Sequence, residues 1–366
     1  SSVTRQFHRP KRASMIATAV VGYGFAAHSF HCPLISRQSG LSLRGIVARN
    51  PKVREDAEAS WNVRGYASLA EVLEDPEIQL VVIATPHDIH AEMVVQTLDS
   101  GKHCVVDKVM ALKAEDADRM IEARDRSGRM LSVFQNRRWD WDYSTVKDLL
   151  AQGLLGRPLL FESSVCRYAA PRTWRGNLES AGSILHDWGA HLVDQALRMG
   201  LGPCRRVTCR IVSAPWPGVD SGGYGLILME FDREVMFQIE TSRMSRIEKP
   251  RWYIVGKEGS FLKYGLDPQE EALRSGDLLR ARESDRAIGL LRRAQADGEV
   301  MDSRVPSVRS SWDSYYANIS AHLNHGAPLA VTAEEAREVV RVLDAAMRSA
   351  RDHSVIEGAW GSSTRG

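Results

Sequence analysis

The sequence predicts an α/β protein in two parts: an N-terminal doubly wound parallel sheet, followed by an α+β domain with a large, mostly antiparallel sheet. Three features support this. Short apolar runs and helical stretches alternate from Met15 to about Val133, as βαβ units do. A glycine turn, Gly22-x-Gly24, closes the first run. After Trp141 the alternation gives way to a series of extended segments interrupted by one helix.

Strands are expected at Ile16–Val21, Leu43–Ala48, Leu80–Ala84, His103–Val106 and Met130–Val133. Helices are expected at Pro51–Ser60, Leu69–Glu74, His90–Leu98 and Ala114–Ser127, with Gly101 closing the third as a C-terminal cap. In the second part a helix at Tyr143–Gln152 leads to extended segments near Leu159–Val165, Arg206–Val212, Gly223–Phe231, Val235–Thr241 and Trp252–Val255. A helix near Ile184–Met199 interrupts them. Gln269–Ser303 is charged and poor in β-branched residues, which predicts an exposed excursion. Asp313–Gly326 and Ala333–Ala350 read as helices, the second opened by the capping signature Thr332-Ala333-Glu334-Glu335. The expected divisions are an extension or tag at 1–14, a first domain at 15–136, a second at 137–350 and a tail at 351–366.

Composition excludes several classes. The 366 residues exceed the ~100–200 usual for one domain and leave room for two cores. Of the net charge of +2, Arg5, Arg9, Lys11 and Arg12 lie in the first fourteen residues, which contain no acid. The rest is slightly acidic, which argues against nucleic acid as a partner. No apolar run reaches the ~18 residues of a membrane span, and no signal peptide is visible, so a cytoplasmic location is expected. Cys32, Cys104, Cys166, Cys204 and Cys209 are odd in number, scattered and without a Cys-x-x-Cys spacing. They are expected as reduced, buried thiols rather than a disulfide framework, and no metal site is expected.

The chemistry starts at Gly22-Tyr23-Gly24-Phe25-Ala26-Ala27. A buried strand feeding such a turn aims backbone N–H groups and a helix start at one point, which suits a dinucleotide pyrophosphate; glycine turns also serve packing alone. The third strand ends in Ala84-Thr85-Pro86-His87 and the fourth in Asp107-Lys108. Carboxyl ends of strands line the ligand crevice in open α/β sheets, so Lys108 either faces a cofactor or pairs with an acid at the surface. Asp187 and His191 stand at i and i+4 on an expected helix, where a carboxylate can orient an imidazole that acts as general base, or simply form a local ion pair. Gly189 between them implies a close neighbour, because glycine in a helix costs about 1 kcal/mol against alanine.

Taken in order, Gly22-x-Gly24-x-x-Ala27, Ala84-Thr85-Pro86-x-x-x-His90, Asp107-Lys108 and Asp187-x-Gly189-x-His191 resemble the Gfo/Idh/MocA family of oxidoreductases over roughly residues 15–358. Phe30-His31-Cys32-Pro33-Leu34-Ile35, Gln135-Asn136-Arg137-Arg138-Trp139-Asp140 and Gly259-Ser260-Phe261-Leu262-Lys263-Tyr264-Gly265 look like its NADP-dependent scyllo-inositol dehydrogenase branch. The resemblance implies a Rossmann domain, a catalytic trio of Lys108, Asp187 and His191, and cofactor contacts from His90, Gln135, Trp174 and Arg175. It also implies a homodimer or homotetramer built through the second sheet.

The end of the second strand bears on cofactor choice. Ala48-Arg49-Asn50 and Arg54 supply two guanidinium groups with no acid between Gly45 and Val53, which favours NADP, with NAD possible. The expected activity is hydride transfer to or from a secondary alcohol carbon of a polyol, cyclitol or sugar, with scyllo-inositol the first candidate. The rivals are an NAD-dependent glycosidase of the same fold and a non-catalytic NADP-binding sensor. Arg138, Arg167, Tyr168 and Arg172, with Asp187 and His191, are the substrate-side residues, and the arginines can face a phosphate, a carboxylate or water. The family's proline after the lysine is replaced by Val109, and a cis bond before valine costs about 2.5–4 kcal/mol, so Lys108–Val109 is expected trans. Ala181-Gly182 stands where members often carry two glycines.

Overall fold

The structure, a computed structural model, describes residues 15–295 and 297–361. The expected extension at 1–14 and residues 362–366 of the expected tail lie outside the described residues.

Six strands form the first sheet: β1 (Ile16–Val21), β2 (Leu41–Val47), β3 (Arg64–Tyr66), β4 (Leu80–Ile83), β5 (His103–Val106) and β6 (Leu131–Val133). Their order is β3-β2-β1-β4-β5-β6, and all neighbours run parallel. A parallel sheet covered on both faces needs apolar residues at every position, and Leu80-Val81-Val82-Ile83 is buried throughout. The strand order reverses between β1 and β4, which opens a crevice at their carboxyl ends. The three residues of β3 are too few to show a periodicity, so sequence reasoning passed over them.

Nine strands form the second sheet: β7 (Pro158–Cys166), β8 (Cys204–Val212), β9 (Tyr224–Phe231), β10 (Val235–Ser242), β11 (Trp252–Gly256), β12 (Gly259–Lys263), β13 (Gly289–Ala294), β14 (Val300–Val305) and β15 (Ile356–Trp360). The order is β14-β13-β12-β11-β7-β10-β9-β8-β15; the β7–β10 pair is parallel and the others are antiparallel. On β9 the residues Gly225, Ile227, Met229 and Phe231 turn to the core and alternate with half-buried neighbours. Phe161 of β7 stacks on Phe237 of β10 at 5.2 Å, with Trp252 of β11 edge-on at 6.0 Å.

Three expectations need correction here. The excursion at Gln269–Ser303 is ordered, as a helix at Gln269–Arg274 and the β13–β14 hairpin. Its strands escape pattern reading because β14 lies mostly exposed at the sheet edge and carries charge, with Arg292 and Asp302 paired across the hairpin at 2.6 Å. The tail is partly built into the fold, since Trp360 is buried and β15 pairs with β8. The helix at Ile184–Met199 is two segments, a π-helical turn at Leu185–Gly189 and an α-helix at Ala190–Leu197. The helix Ala333–Asp352 does open with the capping box, Thr332 and Glu335 bonding reciprocally.

Candidate active site

The carboxyl ends of β1, β2, β4 and β5 surround a cavity of about 620 Å³. Gly22 has φ +92°, and a Cβ there would lie 2.7 Å from the Ala84 carbonyl oxygen, so only glycine lets β1 and β4 approach. Gly24 differs. A Cβ on it meets no atom within 4 Å, and its backbone borders the cavity, ahead of a helical run from Phe25 to Ser36. This glycine cradle, with Arg49 at the rim, fits a dinucleotide: bare backbone for a pyrophosphate and a cation where β2 ends.

Of the expected cofactor residues, Gly22, Tyr23, Gly24, Phe25, Ala26, Arg49, Ala84, Thr85, Pro86, His87, Asp107, Lys108, Trp174 and Arg175 line the cavity. Ala27, Arg54, His90 and Gln135 do not. Ala27 is fully buried, and Arg54 donates from Nη1 to the Ala48 carbonyl at 3.0 Å. His90 lies between two backbone carbonyls; with Nδ1–H donating to Val109 at 2.9 Å, the neutral ring leaves Nε2 without a proton 3.0 Å from the Thr85 carbonyl oxygen. His90 thus braces the loops that carry the cavity wall. Gln135 is buried, with Oε1 unpartnered.

The Lys108–Val109 peptide is cis, not trans as expected. Val109 is 1% exposed and accepts from His90, so packing and this hydrogen bond hold the bend without a proline ring. Asp107 accepts from the Lys108 amide at 2.8 Å and lies 3.7 Å from His31 Nε2. Burial would raise its pKa, but His31 and Lys108 bring it down to about 2.

Lys108 reaches across the cleft. Its Nζ donates to Asp187 Oδ1 at 2.8 Å and to the Asp187 carbonyl at 3.0 Å, while Arg243 Nη2 stands 3.7 Å from Oδ2. Burial pushes the Asp187 carboxyl up, but Lys108, Arg175 and Arg243 outweigh it and hold the group well below the usual carboxylate range. Among the described residues no hydrogen bond joins Asp187 to His191. The π turn spaces its hydrogen bonds five residues apart, so i and i+4 no longer stack as they would on an α-helix. His191 is 6% exposed and its Nδ1 has no partner. Burial, then the charges of Lys108 and Arg137, hold its pKa well below 6.5, so the ring is neutral at pH 7.

The substrate-side residues divide. Arg138 does not face the cleft: its guanidinium bonds Asp194 at 2.7 and 2.8 Å and Glu335 at 2.7 Å, tying the Ala190–Leu197 helix to the capping box. A buried guanidinium takes the nearest carboxylates, and here two are offered by packed helices. Arg167 is exposed just past β7, with its amide bonded to the Ser242 carbonyl at 3.0 Å. Tyr168 packs against Trp216 at 5.8 Å and under Arg246 at 3.8 Å. Arg243 was missed. The signal was present, a cation directly after the strand-like run ending at Thr241-Ser242. Asp140, Asp142 and Asp267 also gather, with ligand atoms within 4.8 Å of one another, but Trp312, Trp252, Arg251 and the Trp141 amide already donate to them.

A Rossmann crevice with a bare glycine cradle, and a lysine and a neutral histidine beside it, defines an NAD(P)-dependent dehydrogenase. The family model described as the oxidoreductase family, NAD-binding Rossmann fold, matches residues 16–135, and that for its C-terminal alpha/beta domain matches residues 147–357. The chain belongs to the Gfo/Idh/MocA oxidoreductase family. It is 31% identical over 356 residues to scyllo-inositol 2-dehydrogenase (NADP(+)) IolW of Bacillus subtilis, covering 94% of this chain and 97% of that one. It is 32% identical to the oxidoreductase YdgJ of Escherichia coli, covering 93% and 98%. The solved structure of the oxidoreductase yvaA from Bacillus subtilis matches with a TM-score of 0.88 at 29% identity, covering 95% of this chain and all of that one.

Proposed function

We propose that the protein is an NADP(H)-dependent dehydrogenase that moves a hydride to or from a secondary alcohol carbon of a polyol, cyclitol or sugar. The observation that supports this best is the Lys108–Asp187 ion pair at the cleft, next to a buried, neutral His191 with an unpartnered nitrogen. Bound NADP+ supplies the hydride acceptor. On the protein side, His191 takes the hydroxyl proton as the C–H bond breaks, and Lys108 stabilises the alkoxide that develops. Asp187 positions the Lys108 ammonium through Oδ1 and its own carbonyl.

Arg49 at the cavity rim favours the 2′-phosphate, and the absence of an acid from 45–53 removes the usual partner of a free ribose hydroxyl. Arg54 acts behind it, through the Ala48 carbonyl. The outer face of the nine-stranded sheet carries Leu160, Leu226, Leu228, Met236 and Tyr253, none of them fully buried, which supports a homo-oligomer with a second copy over that face. No helix among the described residues is long and apolar enough to cross a membrane. The five cysteines are free and buried, in keeping with a reducing cytoplasm.

The reading is tested by following nicotinamide absorbance with NADP+ and NAD+ against a panel of inositols, sugars and sugar acids. Turnover with NADP+ on at least one secondary alcohol is expected. Release of a glycoside's leaving group without net nicotinamide change would replace it with the glycosidase reading.

A further inference from the structure

We propose that Arg243, with Arg167 and Arg175 beside it, binds an anionic group of the substrate, so that the preferred substrate is a polyol bearing a carboxylate or phosphate close to the reacting carbon. This rests on the dehydrogenase reading above and adds the substrate's charge.

The parallel pairing of β7 with β10 places the site. Its register ends at Cys166 opposite Ser242, so the next residues, Arg167 and Arg243, leave the sheet side by side at the same end. The backbone keeps them adjacent, through Arg167 N–H to the Ser242 carbonyl and Ala169 N–H to the Arg243 carbonyl, each 3.0 Å. Like charges set opposite each other on neighbouring strands are destabilising unless something offsets them. Arg175 adds a third guanidinium, and its carbonyl accepts from Arg243 Nη1 at 3.4 Å.

No protein carboxylate fills that role. Among the described residues neither Arg167 nor Arg175 has a carboxylate within 4.0 Å, and Arg243 has only Asp187 at 3.7 Å, already held by Lys108 at 2.8 Å. Glu240, back along β10, is taken by Lys249 at 2.5 Å. Solvent does not offset Arg243 either, because the residue is 8% exposed. Its pKa is drawn below the ordinary value by burial first, against the pull of Asp187, with repulsion from Arg167 and Arg175 adding to the fall. A buried cation with two cationic neighbours and one shared acid lacks about one negative charge.

The cofactor is not the missing anion for this pair. Arg175 borders the dinucleotide cavity, whereas Arg167 and Arg243 do not. The position of Arg243 next to the reacting centre sets the reach: a single carboxylate, that of Asp187, separates Lys108 Nζ from Arg243 Nη2. An anion seated on Arg243 therefore belongs to a carbon near the one that loses hydride, and a guanidinium fork suits either a carboxylate or a phosphate.

The test compares matched substrates. Steady-state kinetics with NADP+ are measured for glucose, glucuronate and glucose 6-phosphate, and for scyllo-inositol, with the wild type, Arg243→Gln and Arg243→Lys. Glutamine keeps a donor for Ser221 Oγ, which Nη1 reaches at 3.1 Å. At least one anionic compound should exceed its neutral counterpart in kcat/KM by about tenfold to a hundredfold, the gain from a charge-assisted contact. Arg243→Gln should reduce that ratio by tenfold or more, chiefly through KM, and Arg243→Lys should restore part of it. Which of the two anions gains separates a carboxylate site from a phosphate site. Melting temperature and NADP+ affinity report folding; if Arg243→Gln melts early, the exposed Arg167→Gln serves in its place.

If no compound reduces nicotinamide, the dehydrogenase reading fails, and calorimetric titration with glucuronate and with inorganic phosphate still decides this proposal. Saturable binding that Arg243→Gln abolishes supports it. Equal preference for neutral substrates, or anion binding that is absent or unchanged in the variant, overturns it.

Discussion

Replacing each glycine of the cradle by alanine separates folding from cofactor binding. At Gly24 the new methyl group touches no atom within 4 Å and the backbone is outside the left-handed region, so Gly24→Ala should fold at least as well as the parent. A gain of about 0.4–1 kcal/mol is expected from the stiffer unfolded chain. The methyl group nevertheless stands in the space left for a pyrophosphate oxygen, and losing one charge-assisted contact of about 1.5–3 kcal/mol weakens NADP+ about ten- to a hundredfold. At Gly22 the outcome reverses. Alanine must adopt φ +92° with its Cβ 2.7 Å from the Ala84 carbonyl oxygen, closer than real Cβ atoms approach. Strain of about 1–3 kcal/mol plus displacement of β4 lowers stability together with affinity. Urea midpoints and calorimetric titration with NADP+ measure the two effects independently. Wild-type affinity in Gly24→Ala would show that the dinucleotide does not lie against this turn, and wild-type stability in Gly22→Ala would refute the close-approach argument.

Arg49→Ala should weaken NADP+ by about tenfold or more while leaving NAD+ nearly unchanged; equal loss for both would remove Arg49 from the 2′-phosphate. His191→Asn should lower turnover by about 10²–10⁴ with NADP+ affinity retained, as single-turnover kinetics and titration will show; unchanged turnover would assign the proton to another group. Stability should fall as pH drops below 6.5. His87, His186 and His191 are held neutral by burial, His186 down to about 4, while the unfolded chain takes up protons near 6.5. Each contributes a slope of at most about 1.4 kcal/mol per pH unit. Asp267, pushed up to about 6 by burial and Asp142, opposes the trend, so the comparison is made between wild type and His186→Asn in urea midpoints from pH 4.5 to 7.5. A parallel pair of curves would contradict a buried neutral His186.

The first sheet was legible because its chemistry repeats: apolar strands, capped helices and a glycine whose φ no other residue suits. The ends of β1, β4 and β5 could be read as cleft walls directly from Gly22-Tyr23-Gly24, Ala84-Thr85-Pro86 and Asp107-Lys108. What stayed hidden depends on contacts far apart in sequence. The hold on the Lys108–Val109 bend comes from His90, the partner of Asp187 is Lys108 rather than its helical neighbour, and Arg138 is claimed by Asp194 and Glu335. A π turn changes spacing by one residue without any compositional mark. β14 forms the sheet edge and is exposed along most of its length, and β13 beside it carries Arg292 and Arg293, so neither reads as the apolar run that β9 does.

The single parallel pair in the second sheet sets two connecting segments together at one end of it. The segments that follow β7 and β10 emerge together, residues 167–177 from one and 243–251 from the other, while the strands behind them carry the core stacking of Phe161 and Phe237. Those segments also reach back into the rest of the molecule: Trp174 and Arg175 line the dinucleotide cavity, Arg243 stands 3.7 Å from Asp187, and buried Arg251 pairs with Asp142. A variant library drawn from these two stretches therefore keeps the cofactor half constant only when Trp174, Arg175 and Arg251 are held fixed.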